Sequence, residues 1–308
     1  MLLTPAALDS AFIGFHKMFQ DGFVAATPFW DKLATKTPSD TESETYHHML
    51  RLPRMREWLG ERVYNNLASA SYNLVNRDFE QSEKIPRNKF EDDKFGIYAP
   101  MFKMIGEAVS YWPDDLVMEA LLAGGSSLCY DGQYFFDTDH PKQLNNSAGG
   151  TQSNLYTTTA LTATNFGTTR AAMRALVGED GKPLKVRPNL LVVPPALEKT
   201  ALEIVVATTV PSAAGTASQT NTQAGQADVL VIDELAAAAG GSDTTWYLMD
   251  TTKAVKPFIF QERKAPTFTF FDKPTDATVF ERREFRFGAE SRGAAGYALW
   301  FLAAKCTA

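Results

Sequence analysis

No uninterrupted apolar run in this chain approaches the ~20 residues a bilayer-spanning helix needs, so a transmembrane helix is not expected. Residues 1–9 (MLLTPAALD) have neither a basic start nor a sustained apolar stretch, so they do not read as a signal peptide, and a cytoplasmic site of synthesis is expected. Cysteine is almost missing. Cys129 and Cys306 stand far apart without metal-ligand spacing, and they read as one buried thiol and one tail thiol with no disulfide between them. A basic excess is missing too: 30 Lys and Arg face 36 Asp and Glu, a formal charge of −6, which argues against a dedicated nucleic-acid binder. The chain lacks the G-x-x-x-x-G-K-[ST], G-x-S-x-G and H-E-x-x-H patterns, and it shows no internal repeat. The Gly124-Gly125-Ser126-Ser127 run follows a helical pattern, not a strand, so it reads as a helix terminator and not as a phosphate loop.

What the chain does have is ordinary globular composition, with 44% hydrophobic and 21% charged residues over 308 positions. That length can bury a sizeable core in one large or two modest domains. Its most telling stretch is 246–304, dense in Phe, Tyr and Trp that are interleaved with Arg, Glu, Asp and Lys. Charges are rarely buried without a partner, whereas interfaces favour aromatic residues and Arg. The mixture suits strands that are part core and part contact between copies of the chain.

Elsewhere the pattern is α+β. Ala7, Phe12, Phe15 and Phe19 predict an amphipathic helix over 5–20, on an arm of about fifty residues with so little core that it must lie across another element. Eleven of the eighteen residues from Arg77 to Lys94 are charged, which predicts either a solvated loop or a projecting two-stranded hairpin over about 60–93. Met101, Ile105, Ala108 and Trp112 recur at helical spacing, and the pattern resumes after Pro113 with Leu116, Val117, Ala120 and Leu121. This predicts one long helix over 98–123, broken or kinked at the proline. A capped helix is expected over 162–177, buried strands at 189–193 (NLLVV) and 228–233 (DVLVID), and a helix opened by Pro194-Pro195. Residues 204–227 carry no charge and read as an exposed loop.

The best enzymatic candidate is FFDTDHP at 135–141, where Asp137, Asp139 and His140 could bind a divalent metal for hydrolysis or support acid–base work. Such a site needs more ligands, and His16, His47 and His48 all lie in the arm. The plainer reading is a turn in which the aspartates cap backbone amides before a proline-restricted residue. The arginines at 282, 283 and 286 are balanced by Glu281 and Glu284, so they suggest ion pairs between subunits rather than a nucleic-acid patch.

Four stretches, YDGQYFFDTDHP (130–141), NLLVVPPALEKTA (189–201), WYLMDTTKAVKPFIFQERKAP (246–266) and VFERREFRFGAESRGAAGYALW (279–300), together resemble the Mu-like prophage major head subunit family, the major capsid proteins of Mu-type tailed phages. The resemblance implies an α+β fold of the Hong Kong 97 type. It implies an N-terminal arm at 1–50, an E-loop region at 51–93, a peripheral domain with its spine helix at 94–154, an axial domain at 155–240, and C-terminal strands at 241–308 that return to the peripheral domain. It also implies a structural protein of the virion, without enzymatic activity or cofactor, that assembles in the bacterial host as pentamers and hexamers of an icosahedral shell. The implied partners are copies of itself, scaffold, portal and decoration proteins, and packaged double-stranded DNA contacted non-specifically, with no membrane. Arg77, Asp78, Glu80, Glu83, Lys84, Arg87 and Lys89, with Arg282, Arg283 and Arg286, are the expected intersubunit contacts. A metal-dependent hydrolase and another virion component, such as a tail or decoration protein, are the competing readings.

Overall fold

The computed structural model of the chain describes residues 5–48, 70–93, 96–143, 149–211, 218–271 and 283–308. The arm opens with α1 (Pro5–Ala25), a short α2 (Trp30–Leu33), β1 (Ala34–Pro38) and β2 (Ser43–His48). Then come β3 (Ala70–Val75), β4 (Arg77–Pro86), α3 (Arg87–Glu91), α4 (Tyr98–Ser110) and α5 (Trp112–Ala123). The middle of the chain supplies β5 (His140–Pro141), β6 (Thr151–Gln152), β7 (Leu155–Tyr156), α6 (Ala163–Ala175), β8 (Leu190–Val193) and α7 (Glu198–Val205). It continues with β9 (Thr209–Pro211), β10 (Ser218–Thr220) and β11 (Asp228–Val231), and the last quarter adds β12 (Trp246–Met249), β13 (Phe258–Phe271), β14 (Glu284–Tyr297) and β15 (Ala303–Cys306).

Two sheets organise these elements. A long four-stranded sheet runs in the order β1-β13-β14-β4, with β1 parallel to β13 and the other pairs antiparallel. A five-stranded sheet runs β11-β8-β12-β15-β7. Every residue of β8 and β12 is buried. Successive strand residues point to opposite faces, so both faces of that sheet are covered. β14 instead alternates along its first half, with Phe285, Phe287 and Ala289 buried and their neighbours partly exposed.

Helices α1 and α4 roof the aromatic face of the long sheet. The Phe12 and Phe285 ring centroids lie 5.1 Å apart, Phe102 and Phe287 4.7 Å, and Phe19 and Phe268 4.6 Å. The arm helix therefore lies across the body, extends to Ala25, and finds its core there. The two helices meet almost backbone to backbone: a Cβ on Gly106 would sit 2.0 Å from the Phe19 carbonyl oxygen, and one on Gly22 just 1.9 Å from that of Lys103. Only glycine fits at either crossing.

The expected long helix is two helices that break at Tyr111, two residues before Pro113. Proline has no N–H and its ring crowds the carbonyl four residues earlier, so it sits well in the first turn of α5 and poorly within a continuous helix. The buried face of α4 is Phe102, Gly106 and Val109, not the Met101 and Ala108 of the sequence pattern. Either face of α4 is apolar, so periodicity alone does not choose between them.

The projecting hairpin over 60–93 is corrected. β3 pairs antiparallel with β2, from Ser43↔Val75 to His48↔Ala70, while β4 pairs with β14 two hundred residues away. The charged stretch is thus the edge of the long sheet and not one leg of a hairpin with β3; residues 60–69 lie outside the described residues. The β2–β3 pair is anchored to the sheet by buried Gln261 of β13, which accepts from the Tyr46 hydroxyl at 2.8 Å and donates to Asn76 at 2.7 Å.

The C-terminal segment 241–308 feeds both sheets. β12 pairs with β8 and β15, and β15 pairs with β7, so both ends of that segment belong to the five-stranded sheet while β13 and β14 build the long one. Phe258, Phe260, Phe285 and Phe287 face the core, as the sequence pattern expects. Cys306 is no tail thiol: it is fully buried on β15, and burial pushes its pKa up to about 12. The uncharged 204–227 stretch contains the exposed β9–β10 pair, with residues 212–217 outside the described set.

Candidate functional site

The charged β4 strand meets β14 in a register that sets Lys84 opposite Arg286 and Glu80 opposite Glu290. Like charges directly across a ladder repel. The sheet answers with acids and bases from neighbouring positions. Glu284 accepts from Lys84 at 3.3 Å and forms a looser ion pair with Arg286 at 3.8 Å, and Glu290 pairs with Lys264 of β13 at 2.8 Å. Asp78 meets the Arg292 Nε at 3.1 Å. Arg77 makes a two-pronged pair with Glu119 of α5, one arm at 2.9 Å, and stacks its guanidinium over Phe79. That pair lifts the pKa of Arg77 and lowers that of Glu119, each through the hydrogen bond first.

The expected contact residues therefore fall into two groups. Arg77, Asp78, Lys84 and Arg286 already hold partners in their own chain. Glu80, Glu83 and Lys89 are exposed and make no ion pair among the described residues. Arg283 is exposed with φ 52°, and its carbonyl accepts the Arg87 N–H at 2.9 Å. Arg282 lies outside the described residues.

Aromatic-plus-charge composition did not reveal the other free surface, which is apolar. On α4, Ile97 just before the helix and Met104 within it are 62% and 69% exposed, and on α1, Ile13 and Val24 are 72% and 78% exposed. Leu202 and Val206 at the end of α7 line an open groove with Glu198, Lys199 and Glu203. The signal for the α4 surface was in the sequence: with Lys103 and Glu107 as its only charges, the helix has more apolar surface than one core can cover.

The FFDTDHP segment forms a knot around buried His140, with Thr138 and Asp139 exposed. The His140 Nδ1 lies 2.7 Å from Asp131 Oδ2 and the Nε2 lies 3.2 Å from Asn154 Oδ1, and the ring stacks on Trp300 at 4.0 Å. The amide nitrogen of Asn154 donates to the carbonyls of Phe135, Trp300 and Ala303, which turns its oxygen towards the histidine. His140 thus faces an acceptor on each side and has neither nitrogen free for a metal. Asp137 takes the amides of Thr138 and Tyr134, as a turn residue does. Among the described residues no helix is long and apolar enough to cross a membrane.

Comparison with known proteins places this architecture. The profile of the family described as Mu-like prophage major head subunit gpT matches residues 8–160, 152–235 and 232–308. The Mu-like prophage FluMu major head subunit of Haemophilus influenzae is 30% identical over 301 residues, covering 98% of this chain and 73% of that protein. The major capsid protein of Escherichia phage Mu is 30% identical over 303 residues, with 98% and 74% covered. Among solved structures, the procapsid of bacteriophage JBD30 matches with a TM-score of 0.62 and 29% identity, over 99% of this chain and 76% of that one. The α+β fold is accordingly that of the Hong Kong 97-type phage capsid proteins. The chain belongs to the Mu-like prophage major head subunit family, the major capsid proteins of Mu-like phages.

Proposed function

We propose that copies of this chain close into pentameric and hexameric capsomers of an icosahedral shell around double-stranded DNA, as a structural protein without catalytic activity. The observation that carries this reading is the match to a procapsid subunit along 99% of the chain. The surfaces support it. Capsomer contacts are heterologous, so one patch of a subunit must meet a different patch of the next. The chain offers two unlike surfaces for that purpose: the exposed apolar residues of α1, α4 and α7, and the charged edge of β4 with Glu80, Glu83, Lys89 and Arg283 still unpaired among the described residues. Arg77, Asp78, Lys84, Arg87, Arg282 and Arg286 join them as contact candidates, the paired ones by exchanging partners on assembly. The arm, E-loop, peripheral and axial regions take their parts from this scheme, with the β2–β3 pair as the stem of the E-loop. Scaffold, portal and decoration proteins are the further partners.

Each contact can be weak, because stability accumulates over many subunits and is largely kinetic. The acidic balance of −6 keeps most of the surface from gripping DNA. Lys84 already holds Glu284 and Lys89 is exposed on a short helix, so no covalent crosslink is proposed. Electron microscopy of the purified chain tests the reading: shells, capsomers or polyheads are expected, and rings or tubes of a tail protein would overturn it. Boiled in detergent, mature particles are expected to give one band at the chain mass of 33.9 kDa; a ladder would overturn the absence of crosslinks.

A further inference from the structure

We propose that a ridge of cations around the C-terminal end of α6 binds the phosphate backbone of double-stranded DNA. The inference rests on the shell reading and gives the DNA contact a place on the chain.

The ridge is built by local folding. After α6 the chain turns back: Val177 bridges to Pro183, and the Leu184 N–H donates to the Leu176 carbonyl at 2.8 Å. This lays residues 182–187 beside the helix end. Arg170 and Arg174 lie one turn apart on the same side of α6, and Lys182, Lys185 and Arg187 follow on the returning segment. Lys253, from the loop after β12, reaches over and donates to the Lys185 carbonyl at 2.9 Å. Lys185 itself holds φ 56°, a left-handed conformation that lysine rarely adopts, so the turn that carries its amine is held by its surroundings.

None of these six cations makes an ion pair among the described residues. Two of the nearby acids are engaged by backbone amides. Asp180 takes the Lys182 backbone N–H, and buried Asp250 is filled by the amides of Arg187 and Thr252 and the Thr252 hydroxyl. Burial, and then the charge of Arg174, lowers the pKa of Arg170. A chain of net −6 thus holds a local positive concentration, with Glu179 and Asp180 as the only acids between residues 170 and 187.

The composition of the ridge favours phosphate over a protein partner. Protein interfaces centre on aromatic and apolar side chains and are depleted in Lys. Between residues 170 and 187 no large apolar side chain is exposed, in contrast to the apolar surface of α4. Phosphate contacts need only Lys and Arg, and they draw their affinity from counterion release. A small ridge on an acidic chain gives weak contacts that let DNA slide, which suits a genome that must enter and leave.

The test is a titration of the unassembled full-length chain with a labelled double-stranded DNA fragment, at salt between about 50 and 200 mM. The wild type is expected to bind with log affinity falling linearly in log salt. The Arg174→Gln/Lys185→Gln double variant is expected to lose roughly tenfold or more at low salt, with its slope reduced by about 2, while Lys17→Gln/Lys103→Gln on α1 and α4 leaves both unchanged. Equal binding by the two double variants would overturn the proposal, as would no binding by the wild type at the lowest salt. Equal affinity for poly-glutamate and duplex would also overturn it and favour an acidic protein partner. Circular dichroism checks that the ridge variant is folded. Electron micrographs separate the two readings: shells, capsomers or polyheads without DNA binding sink the ridge alone, whereas a wild type that forms rings or tubes instead sinks the shell reading.

Discussion

In the five-stranded sheet, Leu191 and Leu248 face each other across β8 and β12 with no exposure at all, and every residue of either strand is buried. In the long sheet, Phe285 and Phe287 are also buried, yet Glu284 before them and Arg286 between them stay partly exposed. The central strands β8 and β12 of the first sheet are closed on both faces. The second buries one face under α1 and α4 and keeps an edge of charge on β4. The same last quarter of the chain feeds both. Its aromatic density is therefore no sign of an interface in itself.

If the five-stranded sheet is a closed core, Leu191→Ala has the largest effect. It leaves a cavity between strands that cannot collapse, and a loss of about 3–4 kcal/mol is expected in denaturant unfolding of the unassembled chain. A loss below about 1 kcal/mol would show that the sheet relaxes and would erase the contrast with the long one. Gly106→Ala comes next. Its new methyl collides with the Phe19 carbonyl, a backbone atom, so α1 must shift off α4 at a cost of about 2 kcal/mol. The roof of the long sheet should then loosen before the sheet beneath it, read as faster amide exchange in residues 12–25 and 98–110 than in β8 and β12. Uniform exchange across the two regions would mean that the roof and the closed sheet unfold as one unit.

The two regions were not equally legible in the sequence. Helix positions, the Thr162 cap that accepts the Asn165 N–H at 3.1 Å, and the NLLVV and DVLVID strands are local signals, set by period and capping. Strand partners are not local. Nothing near Arg77–Pro86 says that this strand meets β14, because the pairing is decided by Ile85 and Phe285 joining one aromatic cluster. The charges were seen as contact residues, but whether Lys84 is free or held depends on Glu284, which only the register brings beside it. His140 shows the same limit. Its short motif suggests chemistry, and its fate is settled by Asn154 and Trp300, distant in sequence, which turn it into a structural knot.

The smallest of the three effects lies at the seam between the regions, where Asp114 in the first turn of α5 holds the chain that leads into β1. Its carboxylate accepts the Trp30 N–H at 2.7 Å and the Phe29 N–H at 3.0 Å. Burial raises its pKa from 3.8 to about 6, against the pull of those two amides, and the charges of Glu234 and Asp115 push in the same direction as burial. An acid whose folded value lies above its unfolded value favours folding most when protonated. Its contribution is complete below about 3.8 and is lost as pH rises through about 6. Asp114→Asn keeps an oxygen for the amides and removes the charge, so every other titrating group cancels when the variant is compared with the wild type. The difference in Tm is expected to move against the wild type as pH rises from about 4 to about 6 and to stay level above that. A difference flat across the whole range would mean that water reaches the carboxylate, and that the seam is open where the sheets on either side are closed.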